Sequence, residues 1–181
     1  MRIFIFLSLV IMSGASFAQD SYFGIGLGNT TVRSHTASST SRNAVGLIGH
    51  NFNYNLGIEA EFSTNINKDR IHDSTYFIDY AHTHLAGYLK FSIYPADNTT
   101  LFLRAGYGDF TTTGDSSDTS SAVFDTISTR TAIYGVGIQY NFSPNFKFRV
   151  DYSEMDLGTC GYCNVKSTGE IVTVTPVIYS F

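Results

Sequence analysis

Cys160-Gly161-Tyr162-Cys163 has the spacing of a thiol–disulfide exchange motif. Exchange needs a thiolate, and a helix start is a common device for lowering a thiol's pKa. Here the pair falls in a polar stretch between two strand-like runs, so a short loop disulfide between Cys160 and Cys163 is expected, with redox and metal roles as the alternatives. His82 and His84 stand two apart, which in a strand puts both imidazoles on one face, and His72 and Asp73 precede them. Metal binding would need a convincing third ligand and none is apparent. The expectation is therefore no metal and no cofactor, with the two histidines at a polar interior strand end shared with Tyr80 and Tyr88. His72-Asp73-Ser74 is the nearest approach to a nucleophilic Ser beside a His, and a loop Ser near a His is commonly coincidence, so no catalytic residue is assigned.

The elements that must position these residues are strands. The chain has 181 residues, enough for one domain. Its start reads as a secretory leader: Arg2, an apolar run over 3–12, then Ser16 and Ala18 at the minus-three and minus-one positions of a cleavage site. Residues 1–18 are thus expected to be removed, leaving a domain over 19–181. No later stretch approaches the roughly 20 apolar residues of a spanning helix. Mean hydropathy is only +0.01, as expected where every second residue of each strand faces lipid. With 12 Tyr and 15 Phe but no Trp, aromatic rings are available for both membrane interfaces. A net charge of −4 offers no basic field for nucleic acid.

The mature chain divides into eight alternating runs. Short turns, Asn53-Tyr54-Asn55, Pro95-Ala96-Asp97-Asn98 and Ser143-Pro144-Asn145, alternate with long polar segments over about 30–42, 64–74, 111–128 and 154–169. Three tight connections and four long ones make an all-β, eight-stranded, antiparallel up-and-down transmembrane barrel, with short periplasmic turns and long external loops. Such a barrel belongs in a bacterial outer membrane.

Faces follow from parity. The lipid face takes Phe23, Ile25 and Leu27 in the first strand and Leu56, Ile58, Ala60 and Phe62 in the third. The fourth gives it Leu85, Leu89, Phe91 and Ile93, and the fifth Leu101, Leu103, Ala105 and Tyr107. Val136, Ile138, Tyr140 and Phe142 follow in the sixth, then Phe146, Phe148, Val150 and Tyr152 in the seventh. The eighth is read with Thr173, Thr175, Val177, Tyr179 and Phe181 on its outer face. In the second, either Ile48, His50 and Phe52 or Val45 and Leu47 could face lipid. Pro176 cannot donate to a ladder, so a bulge or local break is expected there.

Glu59, Glu61, Lys90, Arg104, Lys147, Arg149 and Asp151 all fall on the face opposite the apolar one, although nothing in the parity count selected for charge. An Arg or Lys turned to lipid at mid-depth costs about 2–4 kcal/mol. An eight-stranded barrel is only just wide enough for side chains to fill it, so these ions should pair as a polar plug, Glu59 and Glu61 bridged to Lys90 and Arg104, with Arg149 and Asp151 adding to it.

Gly46-Leu-Ile-Gly-His-Asn-Phe52 running into Asn55-Leu-Gly-Ile-Glu-Ala-Glu-Phe62, Tyr134-Gly-Val-Gly-Ile-Gln-Tyr-Asn-Phe142 with Ser143-Pro-Asn145, and the terminal Tyr179-Ser-Phe181 resemble the small outer-membrane barrels of the OmpA/OmpX kind. The resemblance covers the whole mature chain and implies a structural or surface-interaction role. The external loops would then be the contact surface for a ligand, with outer-membrane lipid, lipopolysaccharide and the barrel-assembly machinery as partners. It also implies that Tyr179 and Phe181 form the assembly signal. The periplasmic peptidoglycan-binding domain of larger members is not expected here. Some barrels of this size modify lipid A, but the His-x-Ser-Asn-like run of such deacylases is not matched at His72-Asp73-Ser74. A narrow porin, a lipid-A-modifying enzyme and a secreted lipocalin-like barrel, whose apolar residues would point inward, are the alternatives.

Overall fold

The computed structural model describes residues 21–33, 38–67, 69–72, 77–116, 126–159 and 166–179. The strands are β1 (Ser21–Arg33), β2 (Ser38–Asn51), β3 (Leu56–Asn67), β4 (Asp69–His72), β5 (Phe77–Ala96), β6 (Thr99–Ser116), β7 (Ile127–Asn141), β8 (Phe146–Thr159) and β9 (Lys166–Tyr179). Neighbours in sequence pair antiparallel except β3 and β4, which both pair with β5, and β1 pairs with β9, which closes the sheet. Because β4 continues the pairing of β3 along the same edge of β5, the two are one stave and the barrel has eight. Among the described residues closure leaves no edge strand open to the hydrocarbon, where each unpaired amide would cost several kcal/mol.

The tight ends are built as their residues require. In the first, the Asn53 side-chain carbonyl accepts from the backbone N–H of Asn55 and of Leu56, both at 2.9 Å. In the third, Ser143 Oγ accepts from the Phe146 N–H at 3.0 Å. These are side-chain mimics of a turn, and they fix the register of the hairpins they close.

The other ends differ from expectation. Much of the 30–42 segment is ladder, Thr30 to Arg33 pairing with Ser38 to Ser41, and β5 and β6 stay paired out to Ile78 opposite Ser116. Polar, Thr-rich composition points to a loop, yet Thr is a good strand former once a neighbour offers a ladder. The barrel therefore extends past its apolar belt on the external side.

The outer face is apolar. Ile25 is 71 %, Leu89 66 % and Leu103 59 % exposed, and the belt continues around every stave. Aromatic rings mark its two levels, with Phe52, Tyr54, Tyr94, Tyr140, Phe142 and Phe146 near the tight turns and Tyr107, Tyr134 and Tyr152 toward the other end. Tyr54 and Tyr94 lie 4.3 Å apart and the Tyr94 hydroxyl donates to the Tyr54 carbonyl at 2.7 Å. In β2 the ambiguity resolves with Val45 and Leu47 buried inside and Ile48 exposed.

One face is corrected. In β9 it is Val172, Val174 and Ile178 that point outward, while Ile171, Thr173, Thr175 and Val177 are buried in the lumen. The cause is register. Val177 lies opposite Gly24 and Thr173 opposite Gly28, and cross-strand partners share a face, so β9 turns its Thr side toward the glycines of β1. Tyr179 pairs with Tyr22 through its backbone, and Phe181 lies outside the described residues. The break expected at Pro176 is present. The β1–β9 ladder lapses between Gly24–Val177 and Leu27–Val174 and resumes in the same register, without a bulge.

Candidate functional site: the lumenal ion network

The lumen is filled in layers. Nearest the tight turns, Tyr22, Leu47 and Val177 pack together. Toward the external end Ala86, Tyr88, Phe110, Ile133, Met155 and Ile171 form an apolar layer, with Val32 and Leu157 against it. The ions lie between these layers.

Three carboxylates and three cations meet there. Glu59 and Glu61 come from alternate positions of β3, Lys90 from β5, Arg104 from β6, and Arg149 and Asp151 from alternate positions of β8. All six are at most 5 % exposed. Glu59 receives two hydrogen bonds from Arg149, at 2.5 and 3.0 Å, with Lys90 Nζ at 3.3 Å and Arg104 at 3.9 Å. Arg104 donates to Glu61 at 2.5 Å, lies 2.5 Å from Asp151, and reaches Ser153 Oγ at 2.8 and 3.1 Å. Arg149 Nε donates to Asp151 at 2.8 Å. The Tyr22 hydroxyl donates to Glu59 at 2.5 Å and accepts from Lys90. With three charges of each sign, the set is neutral when ionised.

Each cation also lies over an aromatic face. Lys90 is 4.3 Å from the Tyr22 ring centre, Arg104 is 4.4 Å from Tyr88 and Arg149 is 4.0 Å from Phe102. A desolvated cation over a ring gains about 2 kcal/mol, so the rings replace part of the lost hydration and also fill space that water would occupy.

The pairing differs from the sequence expectation in its centre. Arg149, read as an addition, is the main partner of Glu59, whereas Arg104 joins all three carboxylates. Lys147 lies two residues nearer the tight turns on the same face and is half-buried. His84, read as a strand-end residue, is buried with Nε2 at 2.9 Å from Glu61. His82 is equally buried, between Ser39 Oγ at 3.3 Å and Thr112 Oγ1 at 3.1 Å, with its ring stacked on Phe110. Ile133, Met155, Ile171 and Phe110 were not singled out. The signal was available for Ile133, which shares parity with the inward Gly135, Gly137 and Gln139.

Cys160 and Cys163 lie outside the described residues, as do residues 1–18, Asp73 and Ser74; nothing is described of the His72 side chain. Among the described residues no three metal-binding side chains converge.

An apolar outer belt around a charged, filled lumen is the inverse of a water-soluble lipocalin-like barrel and defines a transmembrane β-barrel of the bacterial outer membrane. The chain belongs to the outer membrane protein beta-barrel domain family, whose model matches residues 4–175. Among solved structures it is similar to Neisserial surface protein A, at 12 % identity and a TM-score of 0.70, covering 88 % of this chain and 96 % of that one. It is also similar to Ail of Yersinia pestis in complex with the heparin analogue sucrose octasulfate, at 17 % identity and TM-score 0.60 over 88 % of this chain and 98 % of that one. The outer membrane protein OprG of Pseudomonas aeruginosa resembles it at 11 % identity and TM-score 0.60 over 91 % and 97 %. These likenesses concern the fold. No curated protein matches the chain.

Proposed function

We propose that this protein is a non-conducting structural and surface-interaction barrel, whose filled lumen holds the wall rigid while the strands beyond the apolar belt form its contact surface. The observation that carries this reading is the six-ion network between two apolar layers. An ion crossing the lumen would have to displace charges that already satisfy one another, and breaking a buried pair costs about 3–5 kcal/mol. Support and presentation need no turnover, and no catalytic residue is assigned.

Planar-bilayer recording of the refolded protein tests it. The expected record is flat, and steady single-channel steps from the wild type would refute the plug. Sulfated glycan is not favoured as the surface partner, although the Ail complex holds a heparin analogue. This chain's net charge is −4, and its strands beyond the belt carry Arg33, Arg42, Arg70, Arg130 and Lys166 beside Asp69, Asp79, Asp109, Asp115, Glu154, Asp156 and Glu170. We expect it to pass through heparin–agarose at about 0.15 M salt, where surface fields are screened within roughly 8 Å.

A further inference from the structure

The lipid-facing surface is not uniform. Along β1, between β9 and the external end of β3, runs a groove of about 930 Å³ floored and walled by Ile25, Leu27, Ile66, Val172, Val174 and Pro176. It follows the stretch where the β1–β9 ladder lapses at Pro176. At its external end stand Asn29 and Arg42, directly paired across β1 and β2. Ala44 and Leu27, one outward step closer to mid-membrane, still belong to the apolar belt, so Arg42 sits where acyl chains give way to headgroups.

Two further observations concern Arg42 itself. The β2–β3 register shifts between Arg42 and Asn43, where Arg42 faces Asn67 and Asn43 faces Asn65, leaving Ile66 as the extra residue beside the groove. A bulge of this kind re-aims side chains at a site. The second is charge. Beyond the belt, β1 and β2 carry Arg33 and Arg42 and the neighbouring β4 and β9 carry Arg70 and Lys166, while β6 to β8 carry Asp109, Asp115, Glu154 and Asp156 with Arg130 alone among them. Arg130 is held by Asp109 at 2.7 Å and Arg33 by Glu170 at 3.1 Å. Among the described residues no carboxylate pairs with Arg42, which leaves its guanidinium open to an anionic headgroup at the edge of the groove.

We propose that the groove binds one phosphorylated lipid of the outer leaflet, an acyl chain lying along β1 and the headgroup phosphate meeting Arg42 and Asn29. Selectivity rests on the headgroup. An acyl chain gains little by exchanging bulk lipid for an apolar groove, because lipid tails are as apolar as the side chains they would touch. The phosphate gains a guanidinium that can bind two of its oxygens at once in a region of low dielectric.

Native mass spectrometry of the refolded protein, with diphosphoryl lipid A and phosphatidylethanolamine as competing probes, tests it. The wild type should retain lipid A over the zwitterionic lipid by about fivefold, the ratio that one basic residue near a membrane surface supports. Arg42→Gln should bring that ratio close to one, whereas Arg33→Gln should leave it unchanged. Val174→Phe, which fills the groove and keeps an apolar outer face, should lower retention of both lipids. Heat-modifiable gel migration confirms that each variant is folded. Equal retention of the two probes by the wild type would overturn the proposal, as would a ratio that survives Arg42→Gln or a Val174→Phe variant that keeps both lipids.

Discussion

Arg104→Met separates a dry plug from a wet one. Met matches much of the Arg104 stem in length and removes only the charged end, so the change isolates what the guanidinium contributes. In the wild type, Arg104 contacts Glu61 and Asp151 at 2.5 Å each, lies 3.9 Å from Glu59, and satisfies Ser153. Without it, Asp151 keeps Arg149, but Glu61 keeps only His84, and three carboxylates face two cations in a buried space. Leaving a buried charge uncompensated costs about 3–5 kcal/mol, a shift of roughly 10²–10³·⁵ in the folding equilibrium. Urea titration in lipid vesicles, followed by heat-modifiable gel migration because the chain has no Trp for fluorescence, should show a loss in that range. The double variant Arg104→Met with Glu61→Gln should recover at least half of it, since a charge and its counter-charge leave together. A loss below about 1 kcal/mol for the single variant would mean that water already solvates these ions, as at an exposed pair, and the plug reading would fall with it.

Glycine positions provide a second contrast. A Cβ at Gly26 would collide with the Val174 carbonyl and lie 2.8 Å from Thr175 Cα, whereas one at Gly87 would meet nothing within 4 Å. Gly26→Val should therefore lower the urea midpoint by the equivalent of about 2 kcal/mol or more, while Gly87→Ala stays within about 0.5 kcal/mol. For Cys160 and Cys163, alkylation of the folded protein should add no mass before reduction and two adducts after it; two adducts without reduction would exclude the bridge. Phe181→Ala should lower the yield of heat-modifiable protein from cells severalfold while leaving refolding of purified chain in detergent unchanged, and equal losses in both would make the residue structural.

Most of the barrel was legible because lipid and lumen impose opposite chemistry on alternate residues. Leu101, Leu103 and Arg104 cannot exchange faces without placing a guanidinium in hydrocarbon. The same logic failed on β9, where Val172, Thr173, Val174 and Thr175 are all β-branched and either parity presents an acceptable surface. Only the register against Gly24 and Gly28 decides, and register is a long-range property. The network was legible as a set of residues but not as a set of bonds. Glu59 and Arg149 are 90 residues apart and meet across the bore, a distance that depends on the curvature of the closed sheet. The inward facing of His84 is legible for the same reason as the ions, but its Glu61 partner is not, because that contact depends on His84 facing Ser63, two residues beyond Glu61 on β3.

The distribution of the six ions among staves bears on how the wall closes. Glu59, Glu61, Lys90 and Arg104 all lie on the contiguous β3, β5 and β6, and Arg149 and Asp151 lie on β8. Each group balances its own sign, two against two and one against one. A partly curled sheet can thus enter the bilayer with the network ions of each portion in balance, and the final docking of one portion onto the other adds cross-bore pairs rather than bringing bare ions together.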